Sequence, residues 1–175
     1  MMYCINLQEV IGVIRAARAV CIGVDGKDGS GKSTLARQLS VALELPCVSL
    51  DSFLKKDRGG YVKYIDYRKL EADLEEFKGY IVEGVCLHQV LRRVEVSPEL
   101  NIYVRRVKHG VWLDEDTLDV SLEEVESVLV REKVLASLFS SGPVVSLGLS
   151  EEIIRYHAEF RPHVNADVIY SDCFG

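Results

Sequence analysis

Between Val24 and Leu35 the chain reads VDGKDGSGKSTL, with glycine at Gly26, Gly29 and Gly31 and a lysine, Lys32, directly before Ser33. Upstream lies AVCIGV (Ala19 to Val24), a short unbroken apolar run suited to a strand buried on both faces. Downstream, Leu35, Leu39 and Leu43 recur at helical spacing until Pro46 closes the segment. A buried strand, a bare turn and a helix in immediate succession are the start of a parallel α/β unit. Gly26 to Ser33 satisfies G-x-x-x-x-G-K-[ST] in that context. Backbone amides freed of side chains converge there on an anion, at the positive end of the helix dipole. Lys32 would neutralise the β- and γ-phosphates of a nucleotide and the Ser33 hydroxyl would ligate Mg²⁺. The expected nucleotide-binding residues are Gly26, Asp28, Gly29, Ser30, Gly31, Lys32, Ser33 and Thr34.

The rest of the chain repeats the alternation. Val10, Ile11 and Ile14 form one face of an opening helix. CVSLD reads as a second strand, and Tyr67 to Phe77 as a helix with Leu70, Leu74 and Phe77 on one face and Asp66 as its cap. YIVEGVCL, LNIYV (Leu100 to Val104) and ADVIY (Ala166 to Tyr170) supply three more strands. The pattern predicts an α/β chain, a three-layer P-loop NTPase fold with a five-stranded parallel sheet, in one domain over residues 1–175.

The formal net charge of −6 argues against nonspecific binding to nucleic acid or an anionic membrane, both of which need excess Lys and Arg. No run approaches the length of a membrane span, and Glu9, Arg15 and Arg18 interrupt what would be a signal peptide's apolar middle. Cys4, Cys21, Cys47, Cys86 and Cys173 are scattered singly, without metal-ligand spacing, as in a reduced cytoplasmic protein. Oligomeric state is not encoded in these motifs.

Two carboxylates follow strand signals. In a parallel sheet the carboxyl ends of the strands open into one crevice, so Asp51 of SLDSFL and Glu83 of YIVEGV should face the phosphates. One would accept a proton from an incoming hydroxyl and the other would orient Mg²⁺. Tyr61, Tyr64 and Tyr67 cluster where an acceptor ring would stack or where they simply pack. His88, His109, His157 and His163 share no metal-ligand spacing and are expected to be structural or exposed.

IGVDGKDGSGKSTLARQLS, VSLDSF, YIDYRKLEADL, YIVEGVCL and ADVIY resemble, in order and spacing, the uridine kinase and phosphoribulokinase branch of P-loop kinases. The resemblance implies ATP and Mg²⁺ as cofactors, Asp51 as catalytic base, Glu83 as a metal-holding acid and Asp66 as a contact to acceptor hydroxyls. It also implies an arginine-rich lid after the fourth strand, whereas Leu118 to Glu132 is acidic here. Ser121 and Glu124 make a capping box, and Leu122, Val125 and Leu129 an apolar stripe, so a packed helix is expected in the lid's place. Arg155 is the preferred catalytic cation, with Arg105, Arg106 and Arg161 as alternatives. Two functions remain: a small-molecule kinase acting on a nucleoside or related metabolite, or a nucleotide-binding regulatory or degenerate module. Asn6, Asn101 and Asn165 are not followed by Lys, so the N-K-x-D element of a guanine switch is missing.

Overall fold

In the computed structural model of the chain, which describes residues 1–55, 60–140 and 146–171, six parallel strands form one sheet. In chain order the elements begin β1 (Met2–Cys4), α1 (Leu7–Ala17), β2 (Cys21–Gly26), α2 (Lys32–Leu43) and β3 (Cys47–Ser49). They continue through α3 (Tyr67–Glu75), β4 (Tyr80–Gly84), α4 (Leu87–Leu91) and β5 (Leu100–Val104). A small hairpin of β6 (Val107–Lys108) and β7 (Val111–Trp112) follows, then α5 (Glu115–Leu118), α6 (Val125–Leu138), α7 (Leu149–Phe160), α8 (Pro162–Asn165) and β8 (Val168–Tyr170).

The sheet order is β1-β8-β5-β2-β4-β3. Alternate residues of each strand feed two cores, which is why the strands read as unbroken apolar runs. Ile22 and Val24 of β2, Ile81 of β4 and Ile102 of β5 pack with Val10, Ile11 and Ile14 of α1 and Leu35 and Leu39 of α2. Val82 and Tyr103 point the other way, onto Leu70 and Leu74 of α3, Leu87 and Val90 of α4, and Ile153, Ile154 and Tyr156 of α7. The result is three layers, helix on sheet on helix.

The expected five strands are all present; the sixth is β1, an edge strand of which only Cys4 is buried. Three residues with two exposed side chains carry no periodic signal. Its pairing is entirely remote, in the register Met2↔Val168 to Cys4↔Tyr170. The second strand is shorter than expected: after Ser49 the chain tightens into a 3₁₀ turn, Leu50–Phe53, which carries Asp51. Phe77 falls outside α3 and is partly exposed. In the lid position the expected packed helix exists as α6, with Val125 and Leu129 buried, but Leu122 is exposed. The Glu124 carboxylate reaches back to the Ser121 amide (2.9 Å), while the Ser121 hydroxyl donates to that same carboxylate, so only half of the capping box forms. The hairpin was not legible beforehand. Its two-residue turn, His109-Gly110, has φ of 49° and 79°, the left-handed pair that suits a tight antiparallel hairpin.

Candidate active site

β2 lies between β4 and β5, so the chain departs from the sheet's middle strand where the order reverses and a crevice opens. The glycine-rich loop fills that crevice. A Cβ on Gly26 would lie 2.6 Å from Ser30 Oγ and 2.8 Å from the Val104 carbonyl, too close for any side chain. Gly31, at φ 93°, is the N-cap of α2 and offers no side-chain cap, so the first-turn amides of α2 are left for an external anion. Lys32 is buried and its Nζ donates to the Lys27 carbonyl at 3.4 Å. Ser30 Oγ is buried without a partner among the described residues. Buried donors of this kind, left over in a bare loop, fit phosphate oxygens. Beside the loop is a cavity of about 250 Å³ bordered by Gly29, Ser30, Gly31, Thr34, Arg105 and Arg106. Asp28 is exposed and does not border it.

Glu83, at the end of β4, is buried, and its two oxygens accept from Ser33 Oγ (3.0 Å) and Ser49 Oγ. Among the described residues no cation pairs with it. A buried carboxylate held only by hydroxyls, one of them on the loop, fits a hard divalent ion with oxygen ligands. No group of three or more His, Cys, Asp or Glu able to hold a metal occurs among the described residues.

Asp51 sits on the neighbouring 3₁₀ turn, exposed, and accepts from the Tyr61 hydroxyl at 2.6 Å. Burial, reinforced by Asp51, pushes the Tyr61 phenol far up, so it stays a donor. Asp66 caps α3 through Lys69 N (3.4 Å) and has a loose contact with Lys55 at 3.8 Å. An antiparallel bridge between Leu54 and Ile65 and the Asp66 N to Phe53 O bond (2.9 Å) tie its segment to the turn bearing Asp51. Tyr67 instead packs, its hydroxyl donating to the Val62 carbonyl at 2.6 Å under the Arg93 guanidinium.

The arginines are not arranged as expected. Arg155 does not border the loop cavity; its guanidinium is held by Glu126 (2.7 Å) and Glu151 (2.9 Å) on the surface of α7. Glu151 lies one turn back on α7, a spacing the sequence shows, whereas Glu126 is brought up by α6 lying alongside, which one-dimensional reading does not reveal. Arg161 pairs with Asp119 at 3.6 Å. Arg105 and Arg106 do border the cavity. Arg105 lies over the Trp112 ring at 4.4 Å, and its buried Nε has no partner among the described residues. Arg106 donates through both Nε and Nη2 to Asp114, which also receives Lys27 Nζ at 3.0 Å. Burial acts to raise the Asp114 pKa, yet the Arg106 and Lys27 contacts outweigh it and hold the carboxyl below its usual range.

Asp25 was also missed. It is buried at the root of the loop, accepting from Tyr156 OH and from Gly26 N (2.7 Å), and burial pushes its pKa up to about 7 against those bonds and Lys32. Tyr156 follows Arg155 directly in the sequence, but neither it nor Asp114, Ser49 or Glu152 carries a local signal. Of the histidines, His157 and His163 are buried and stacked at 5.8 Å, and both belong to the packing around Tyr103 and Trp112.

No protein-family model matches the chain, and no curated protein matches it in sequence. Among solved structures it is similar to a shikimate kinase from Bacteroides thetaiotaomicron, at 15% identity over 86% of this chain and 84% of that one, with a TM-score of 0.41. It is similar to a shikimate kinase from Aquifex aeolicus at 19% identity, covering 82% and 94%, with a TM-score of 0.36. The YorR protein from Bacillus subtilis, in complex with phosphorylated GDP, is 16% identical, covering 87% and 84%, with a TM-score of 0.35.

Proposed function

We propose that the chain is an ATP-dependent phosphotransferase that moves the γ-phosphoryl group to an alcohol of a small molecule, a nucleoside or related metabolite. One observation carries the reading: beside a phosphate-type loop, two carboxylates on adjacent strand exits have different partners. Glu83 is tied to the loop through Ser33, while Asp51 faces Tyr61 and the acceptor side. Ser33 and Glu83 would hold Mg²⁺, which supplies charge neutralisation on phosphate oxygens. Lys32 and the first-turn amides of α2 bind the phosphates. Asp51 takes the proton from the acceptor hydroxyl as its oxygen attacks, and Asp66 supplies an acceptor contact from the segment bridged to that turn. Arg105 and Arg106, rather than Arg155, are the cations assigned to the nucleotide.

Transfer of label from γ-labelled ATP to a panel of nucleosides, pantothenate and sugars tests this reading. Labelled product from at least one hydroxyl compound is expected. ATP binding without any labelled product would favour a second reading, a nucleotide-binding module with little transferase activity. The observation behind that alternative is the acidic, packed segment where a cationic lid is expected, with Arg106 already engaged by Asp114.

A further inference from the structure

Two polar side chains one turn apart on α7 leave the helix toward opposite halves of the candidate site. Glu152 accepts from the Tyr61 amide at 3.0 and 3.1 Å and from the Val62 amide at 3.0 Å. Gly60 lies so close that a Cβ there would be 2.7 Å from Glu152 Oε1. The segment held in this way presents Tyr61 to Asp51. Four residues on, Tyr156 is fully buried; its hydroxyl accepts from His88 N at 3.2 Å and donates to Asp25, which holds the Gly26 amide. The outward side chain between them, Arg155, engages Glu126 and Glu151 instead.

We propose that Glu152 and Tyr156 are positioning residues, Glu152 fixing the Tyr61–Asp51 pair and Tyr156 fixing the phosphate loop through Asp25, so that α7 holds acceptor side and nucleotide side in register. The catalytic consequence rests on the phosphotransferase reading; the contacts do not. A glutamate suits its task because a carboxylate is acceptor-only and satisfies two neighbouring amides at once, in a segment that has no strand partner to do so. Glutamine brings one oxygen and one amino group, and the latter faces an amide donor. The Tyr156 hydroxyl is the one side-chain donor to a buried carboxylate that has no ion pair among the described residues, so its loss leaves Asp25 to backbone amides, those of Gly26 and Leu87.

Three measurements on one set of variants test the proposal: amide hydrogen exchange, calorimetric ATP affinity, and ATP consumption with Mg²⁺ and the panel of nucleosides, pantothenate and sugars as acceptors. In Glu152→Gln, the Tyr61 and Val62 amides should exchange at least about 10-fold faster and ATP consumption should fall about 10-fold, with ATP affinity within about 3-fold. In Tyr156→Phe the pattern inverts: ATP binds about 5- to 10-fold more weakly while those two amides keep their wild-type protection. Glu152→Ala and Asp25→Asn repeat the two arms by other chemistry, and Glu159→Gln, facing Arg92 at the surface, should change none of the three. Unaltered exchange at Tyr61 and Val62 in both Glu152 variants overturns the proposal, as does a parallel fall of affinity and turnover that simply follows thermal stability. A wild-type chain that binds ATP but consumes none with any acceptor of the hydroxyl panel overturns the phosphotransferase reading instead, and the exchange and affinity arms still decide whether α7 positions both halves.

Discussion

Lys32 is buried in the loop with its ammonium on the Lys27 carbonyl, a weak partner for a cation withdrawn from water. Phosphate oxygens are the better one. Lys32→Ala should therefore weaken ATP binding and lower transfer at least about 100-fold, the scale on which one preorganised electrostatic contact is felt. Calorimetry with unchanged ATP affinity would refute the role. Asp51 makes the opposite case. Its side chain accepts from Tyr61 and, among the described residues, has no hydrogen bond to the loop, so Asp51→Asn should cut kcat by about 10² to 10⁴ and leave ATP affinity within a few-fold. Loss of ATP binding in that variant, with turnover per bound ATP intact, would make Asp51 a metal ligand and pass the base role to Glu83.

The segment after β5 behaves as one element because Asp114 pins it. Asp114 stands at the N-cap of α5, yet its side chain caps nothing there and turns instead to Arg106 and Lys27. The hairpin, α5 and the loop are thereby fastened at one buried carboxylate. Asp114→Ala should cost roughly 1–3 kcal/mol, less than a fully buried pair because both cations are partly exposed. Since the native carboxyl is held below its ordinary value of 3.8, this stability is present above that value and is lost as pH falls through the native pKa. Urea midpoints of wild type and variant should differ at pH 7 and converge in acid below about pH 4; a gap unchanged in acid would mean packing, not charge, is lost. This element also marks the limit of what sequence reveals. The places of Lys32 and Ser33 at the start of α2, Glu83 at the end of β4 and Asp51 just past β3 are legible because a strand, a loop and strand exits fix them by short-range pattern. Arg106 was named, but its partner lies eight residues away across a hairpin whose arms are two residues each, too short for any period to emerge. Arg155 stands away from the loop cavity, paired with Glu151 one turn back on its own helix, which spacing reveals, and with Glu126, which only the packing of α6 beside α7 brings there.

Across the whole molecule two buried groups titrate against each other. His157 donates from Nδ1 to the Ile153 carbonyl and accepts at Nε2 from Tyr103 OH, and burial lowers its pKa from 6.5 to about 4. Between those values the unfolded chain binds a proton that the native chain refuses, so stability falls as pH falls. Asp25, raised from 3.8 to about 7, binds a proton in the native chain first, so stability rises as pH falls. The two slopes, each about 1.4 kcal/mol per pH unit, oppose one another between about pH 6.5 and 4. Relative to wild type, His157→Asn should gain urea midpoint, and Asp25→Asn should lose it, on going from pH 7 to pH 5. Parallel curves for all three would show that neither group titrates in this way. The edge pairing of β1 with β8 has a consequence in time. Residue 2 is matched to residue 168, so a chain emerging from the ribosome carries its first strand unpaired until nearly all of the sequence described here has been made. Closing that loop is slow, and while it waits the outer edge of β8 exposes unpaired backbone groups that another strand is able to join. Because β1 shields that edge, removing Met2–Cys4 should speed aggregation during refolding more than it lowers the equilibrium stability of the finished fold.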